Sequence, residues 1–165
     1  MERCYLMAFP MHSSLPVTGG PKNILLVEDN ADLRELLTIA IRHLGYDVVV
    51  ASTGEEAIER ASAMHPDLIL MDIGLPKLNG AEAIVRIKAN PATKHTPIVI
   101  LSALSMCPDI KRALESGAAE ILQKPVSVLK LKEILSKHLS IGAGGIHAKD
   151  LVTASQVQRT SNVSR

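Results

Sequence analysis

A chain of 165 residues can hold one domain with a real core but not two of ordinary size. Its formal net charge of +1 gives no global pull toward nucleic acid or an anionic membrane, and two cysteines are too few for a disulfide framework or a thiolate metal site. Apolar residues make up 47% with no Trp, one Phe and two Tyr, so the core must be built from Leu, Ile, Val and Ala.

Residues 1–21 end in Val17-Thr18-Gly19-Gly20-Pro21, lack periodicity and read as a disordered lead. Their apolar patch is broken by Pro10 and carries a cancelling Glu2/Arg3 pair, which makes a poor signal peptide. No apolar run approaches the roughly 20 residues of a spanning helix. Membrane insertion is therefore not expected, and a reduced, cytoplasmic setting is.

Order is predicted from Lys22. Asn23 to Val27 (NILLV) is a short buried strand ending at Glu28-Asp29-Asn30. A helix follows, with Leu33, Leu36, Leu37, Ala40, Ile41 and Leu44 at three-and-four spacing. Asn30 or Asp29 can cap its start, and Gly45 suits the left-handed position that closes it. Asp47 to Ala51 is the second strand. Thr53 and Glu56 then form a capping-box pattern for a helix to about His65, which Pro66 stops.

Asp67 to Asp72 is the third strand, and Gly74, Pro76 and Gly80 break the chain into a loop beyond it. Asn79 and Glu82 repeat the capping spacing for a helix to about Ala89. Pro97 to Ser102 is strand four, about Pro108 to Ser116 a short helix, and Glu120 to Gln123 a brief fifth strand. Lys124-Pro125 and a helix from Ser127 to about Leu139 complete a domain over residues 22–140. Residues 141–165 turn to Gly, Ser, Thr and Ala and read as a flexible tail, too short and polar for an output domain.

Five strand–helix units with short connections predict an α/β, doubly wound, five-stranded parallel sheet with five helices. The flavodoxin-like order 2-1-3-4-5 is the natural choice, and its switch point lies between strands one and three. Glu28-Asp29 and Asp72 fall at those two strand ends, so the fold predicts that they meet. Three carboxylates in one crevice repel one another unless a cation sits among them. An all-oxygen set suits a hard divalent ion such as Mg²⁺, which commonly bridges carboxylates to phosphate. Ser102 and Lys124, at the ends of strands four and five, would face that phosphate from the far side. There is no GxxxxGK[ST] loop. A carboxylate can itself be the nucleophile, and Asp72 is the candidate acceptor.

With LVEDN, LMDIGLPKLNG, ILSA and LQKP in this order, residues 22 to 140 resemble a response-regulator receiver domain of two-component signalling, of the chemotaxis-regulator-like, receiver-only kind. The resemblance implies a receiver fold and an aspartyl phosphate at Asp72. It implies Mg²⁺ held by Asp29, Asp72, Glu28 through water and the Gly74 carbonyl. It also implies phosphoryl oxygens bound by Ser102 and Lys124, and a cis Lys124–Pro125 bond. The donor would be a sensor histidine kinase or a histidine phosphotransfer protein. The signal would pass to a downstream protein through the face formed by helix four, strand five and helix five. The last helix also allows a homodimer.

Two departures stand out. Ile121 occupies the strand-five position where the family usually has Tyr or Phe. Gly74 and Leu104 lie near the approach of an attacking water and cannot orient it, so slow self-hydrolysis is expected. The rival readings are a phosphate-independent interaction module, which Ile121 favours, and an intermediate receiver in a phosphorelay.

Overall fold

A computed structural model describes residues 20–103 and 107–139. The predicted lead up to residue 19, the tail from residue 141, and Leu104 lie outside the described residues. The elements run β1 (Asn23–Val27), α1 (Ala31–His43), β2 (Asp47–Ala51), α2 (Gly54–Met64), β3 (Leu68–Asp72), α3 (Gly80–Ala89), β4 (Ile98–Ser102), α4 (Pro108–Glu115), β5 (Glu120–Gln123) and α5 (Val128–Leu139). The five strands form one parallel sheet in the order β2-β1-β3-β4-β5. This is the predicted doubly wound fold.

Strand alternation sorts the core into two layers. Leu25, Val27, Ile69, Met71, Ile98 and Ile100 face Ala57 and Ala61 of α2, Ala81, Ala83, Ile84 and Ile87 of α3, and Ala113 of α4. On the other side Ile24, Leu26, Leu68, Leu70, Val99, Leu101 and Leu122 meet Leu37 and Ile41 of α1 and Leu131, Ile134 and Leu135 of α5. The buried hydrophobic side chains are all Leu, Ile, Val, Ala or Met. Alanines on the first layer let α2 and α3 approach the sheet closely. β3, buried at all five positions, has apolar neighbours above and below, as its unbroken apolar run requires.

The capping residues behave as their spacing predicts. Asn30, Thr53 and Asn79 accept from the backbone N–H groups of Leu33, Glu56 and Glu82. Gly45 takes φ +91° after α1. The return half of the capping box differs. The Glu56 carboxylate takes the N–H of Ser52 at 2.9 Å, one residue before the cap. Glu82 instead pairs with Arg86 on its own helix and, at 2.7 Å, with Arg112 of α4.

Several ends differ by a residue. His65 is not helical but adopts the left-handed region at φ 47°, closing α2 before Pro66. Asp67 lies outside β3 because its carboxylate ties the start of β1, accepting from Asn23 N–H at 2.9 Å and Lys22 Nζ at 2.8 Å. His138 is largely buried, with Nε2 3.1 Å from the Glu120 carboxylate. That carboxylate also accepts from Lys137 Nζ at 2.8 Å, which holds its carboxyl below the ordinary range and pins α5 to β5.

Candidate functional site

The parallel sheet delivers every predicted polar strand end to one edge. Glu28 follows β1, Asp72 ends β3, Ser102 ends β4 and Lys124 follows β5. Register explains why they converge. Val27 pairs with Met71, Asp72 with Leu101, and Ser102 with Gln123. Glu28, Asp72 and Ser102 are 1%, 7% and 5% exposed, whereas Asp29 is in solvent. Carboxylate oxygens of Glu28, Asp29 and Asp72 lie within 4.8 Å of one another.

Lys124 organises the cluster. Its Nζ donates to Glu28 Oε2 and to Asp72 Oδ2, each at 2.8 Å. The sequence placed this lysine across the site, facing a phosphate. In the structure it bridges the two buried carboxylates directly, because they are the nearest anions to a half-buried ammonium. Burial acts to lower the Lys124 pKa, but the bonds to Asp72 and Glu28 outweigh it and hold the value above the ordinary one. Burial is also the largest influence on Glu28, and it raises that carboxyl despite the opposing Lys124 bond.

The remaining Asp72 oxygen, Oδ1, accepts from the Gly74 backbone N–H at 3.0 Å. A cavity of about 250 Å³ opens beside it, lined by Asp72, Ile73, Gly74, Ser102, Ala103, Cys107 and Lys124. The Lys124–Pro125 bond is cis. Ile121 is half-buried against the core layer under α2, α3 and α4.

The donor chemistry suits the ion predicted from the sequence. Three carboxylates against one ammonium leave the cluster with a net charge of about −2 when ionised. A hard divalent cation balances that charge with the oxygen ligands it prefers.

Two residues near the site were not singled out in the sequence. Cys107 precedes a helix of its own, and no periodicity pointed it toward the cavity. Arg34 donates to backbone carbonyls of the acidic loop. Its place four residues after the Asn30 cap could have flagged it, since helical side chains lean toward the N-terminus.

Gly80 packs the start of α3 tightly against the end of β3. Its N–H donates to the Ile73 carbonyl at 3.2 Å, and a Cβ there would lie 1.9 Å from the Asp72 carbonyl oxygen. The opposing atom is backbone and cannot swing aside. Gly80→Ala should therefore cost about 3 kcal/mol of stability, at the upper end of ordinary overpacking. Urea unfolding checks this, and an unchanged midpoint would refute the close packing.

The sequence pattern of the family described as response regulator receiver domain matches residues 24–136. The polar-differentiation response regulator DivK of Brucella ovis is 34% identical over 118 residues, 72% of this chain and 96% of that relative. Among solved structures, the receiver domain of sensor histidine kinase PA1611 from Pseudomonas aeruginosa PAO1 is 33% identical with a TM-score of 0.69, covering 73% of this chain and 99% of that one. That structure has a magnesium ion coordinated in its active site cleft. The chemotaxis protein CheY4 of Vibrio cholerae is 25% identical with a TM-score of 0.68, covering 72% of this chain and 98% of its own.

Proposed function

The chain belongs to the response regulator receiver family, and from that premise we propose that Asp72 accepts a phosphoryl group from a histidine kinase or a histidine phosphotransfer protein. The observation that carries this reading is the shared Lys124 ammonium. It ties Asp72 to Glu28 beside a cavity lined by Asp72, Ser102 and Lys124 itself. Glu28, Asp29 and Asp72, with the Gly74 carbonyl, would hold Mg²⁺. When bound, the ion neutralises negative charge on the transferring phosphoryl oxygens.

An Asp72 carboxylate oxygen attacks phosphorus in line with the P–N bond of the donor. That bond breaks with its electron pair leaving on the imidazole nitrogen, and an acyl phosphate forms on Asp72. Lys124 stabilises charge on the equatorial oxygens, and Ser102 contributes a hydroxyl donor. The new dianion redirects Lys124 and Ser102, and this difference in contacts biases the fold toward its signalling state. Output is contact with a downstream protein in the cytoplasm through the face of α4, β5 and α5, with aliphatic Ile121 in place of an aromatic switch. Among the described residues no helix is long and apolar enough to cross a membrane.

A second reading, an intermediate receiver in a phosphorelay, is favoured by the similarity to a receiver that belongs to a sensor kinase. In that case Asp72 would return the group to a histidine.

Intact-mass analysis after incubation with acetyl phosphate and Mg²⁺ tests the proposal. One phosphoryl adduct is expected, removed by hydroxylamine and absent when the metal is chelated. Gly74 brings no side chain to orient water, so the adduct should outlast removal of the donor. A folded protein that takes up no phosphoryl group under any of these conditions would instead be a phosphate-independent interaction module.

A further inference from the structure

Arg34 sits at the end of the first turn of α1, its N–H donating to the Asn30 carbonyl at 2.9 Å. Its Nη1 reaches back along the helix and donates to the carbonyl oxygens of Glu28 at 2.8 Å and of Asp29 at 3.1 Å. These are the two residues whose carboxylates meet Asp72. Lys124 Nζ holds the Glu28 side chain at 2.8 Å, and the Leu33 N–H holds Asn30 Oδ1 at 2.9 Å, but neither engages the carbonyls of Glu28 and Asp29 that Arg34 takes. The Glu28 N–H extends the ladder to the Ala51 carbonyl at 3.1 Å, and the Asn30 N–H is 3.4 Å from Glu28 Oε1. A cation so close to a helix N-terminus opposes the helix dipole, so helix stability does not account for it.

We infer that Arg34 is a positioning residue for the metal site. The inference rests on the reading of the acidic crevice as a Mg²⁺ site. Arg34 fixes the peptide units at 28 and 29, so that the carboxylates of Glu28 and Asp29 already converge on Asp72 before a cation arrives. Asp29 most needs this hold, because its side chain is exposed and its direction is inherited from its backbone. A guanidinium is suited to the task. Its planar fork offers several N–H groups in fixed directions, whereas an ammonium is a point charge on a flexible stem.

Charge and geometry predict opposite outcomes here, which makes the inference testable. As a mere positive charge near the carboxylates, Arg34 would weaken Mg²⁺ binding, and its removal would tighten it. As a positioning residue, its loss weakens binding, and lysine does not restore it.

The experiment is titration calorimetry of the full chain with Mg²⁺ for the wild type, Arg34→Lys and Arg34→Met. It is paired with acetyl phosphate labelling rates across a Mg²⁺ series and with thermal midpoints. The Mg²⁺ dissociation constant should rise roughly tenfold in both variants, in line with other residues that support metal ligands. Half-saturating Mg²⁺ for labelling should rise in parallel, while the rate at saturating Mg²⁺ is retained. An unchanged constant for Arg34→Lys with tighter binding by Arg34→Met would overturn the inference in favour of a charge effect. Lower thermal midpoints with unchanged Mg²⁺ binding, or failure of both variants to fold, would overturn it in favour of a structural role. Absence of Mg²⁺ binding by the folded wild type would overturn the inference together with the metal site it rests on, whereas binding by the wild type and both variants alike would sink the inference alone.

Discussion

Asp72→Asn abolishes the phosphoryl adduct while leaving the protein folded. The amide has the shape of the carboxylate but no anionic oxygen to attack phosphorus, so the effect on labelling is a loss rather than a slowing. Stability should change little. An asparagine Oδ1 can still accept from the Gly74 N–H, as Asp72 does at 3.0 Å. Lys124 keeps Glu28, and the repulsion between two neighbouring buried carboxylates disappears. The unfolding free energy should therefore stay within about 1 kcal/mol of wild type, as at sites where no buried charge is stranded. Intact mass and urea unfolding of the same preparation check both halves. A variant that still acquires one phosphoryl group, now resistant to hydroxylamine, would move the acceptor to a hydroxyl such as Ser102.

Lys124→Met separates two roles that the wild-type structure combines. Phosphorylation should slow by roughly 10²–10³-fold, the usual consequence of deleting one donor to an oxygen that gains charge in the transition state. Mg²⁺ binding should move the other way. The ammonium sits 2.8 Å from oxygens of both Glu28 and Asp72, the carboxylates proposed to hold the ion. A unit charge about 4 Å away is worth about 4 kcal/mol at an effective dielectric of 20. Relaxation of the freed carboxylates absorbs part of that, so affinity should rise about tenfold, equivalent to about 1.4 kcal/mol. Without metal the variant should unfold more easily than wild type, because the carboxylates have lost their shared partner, and Mg²⁺ should restore it. Calorimetry and labelling rates check the pair of effects. Slower labelling with weaker Mg²⁺ binding would show that Lys124 helps assemble the metal site rather than competing for it.

The fold was legible because this chain states its periods clearly. Runs such as Ile24 to Val27 (ILLV) and Leu68 to Met71 (LILM) have no polar residue on either face, which suits strands covered by helices on both sides. Thr53 and Asn79 mark helix starts by a local bond that needs no tertiary partner. The convergence of Glu28, Asp72, Ser102 and Lys124 also followed from topology, since the carboxyl ends of parallel strands share one edge. What sequence did not disclose depends on side-chain reach. The hold of Lys124 on Glu28 joins residues 96 apart and that of His138 on Glu120 residues 18 apart, while Arg34 turns back to carbonyls only five and six residues away, a local reach that hydrophobic periodicity does not encode. Glu82 shows the same limit within a motif. Its spacing fits a capping box, yet Arg86 and Arg112 offer its carboxylate stronger, charged partners.

The pair of hydrogen bonds that Lys124 makes also bears on the order in which the chain folds. Glu28 and Lys124 are 96 residues apart, and Asp72 and Lys124 are 52 apart. Contacts so distant along the chain form late, after most of the loop-closure entropy has been lost. A polypeptide that has emerged only as far as β4 already carries Asp72, the proposed acceptor, and the acidic pair, but it lacks the ammonium that bridges them. Docking of β5 beside β4 supplies it. On the proposed phosphotransfer, a copy without β5 in place should therefore take up phosphate slowly, so that fast uptake doubles as a check that the last strand is docked.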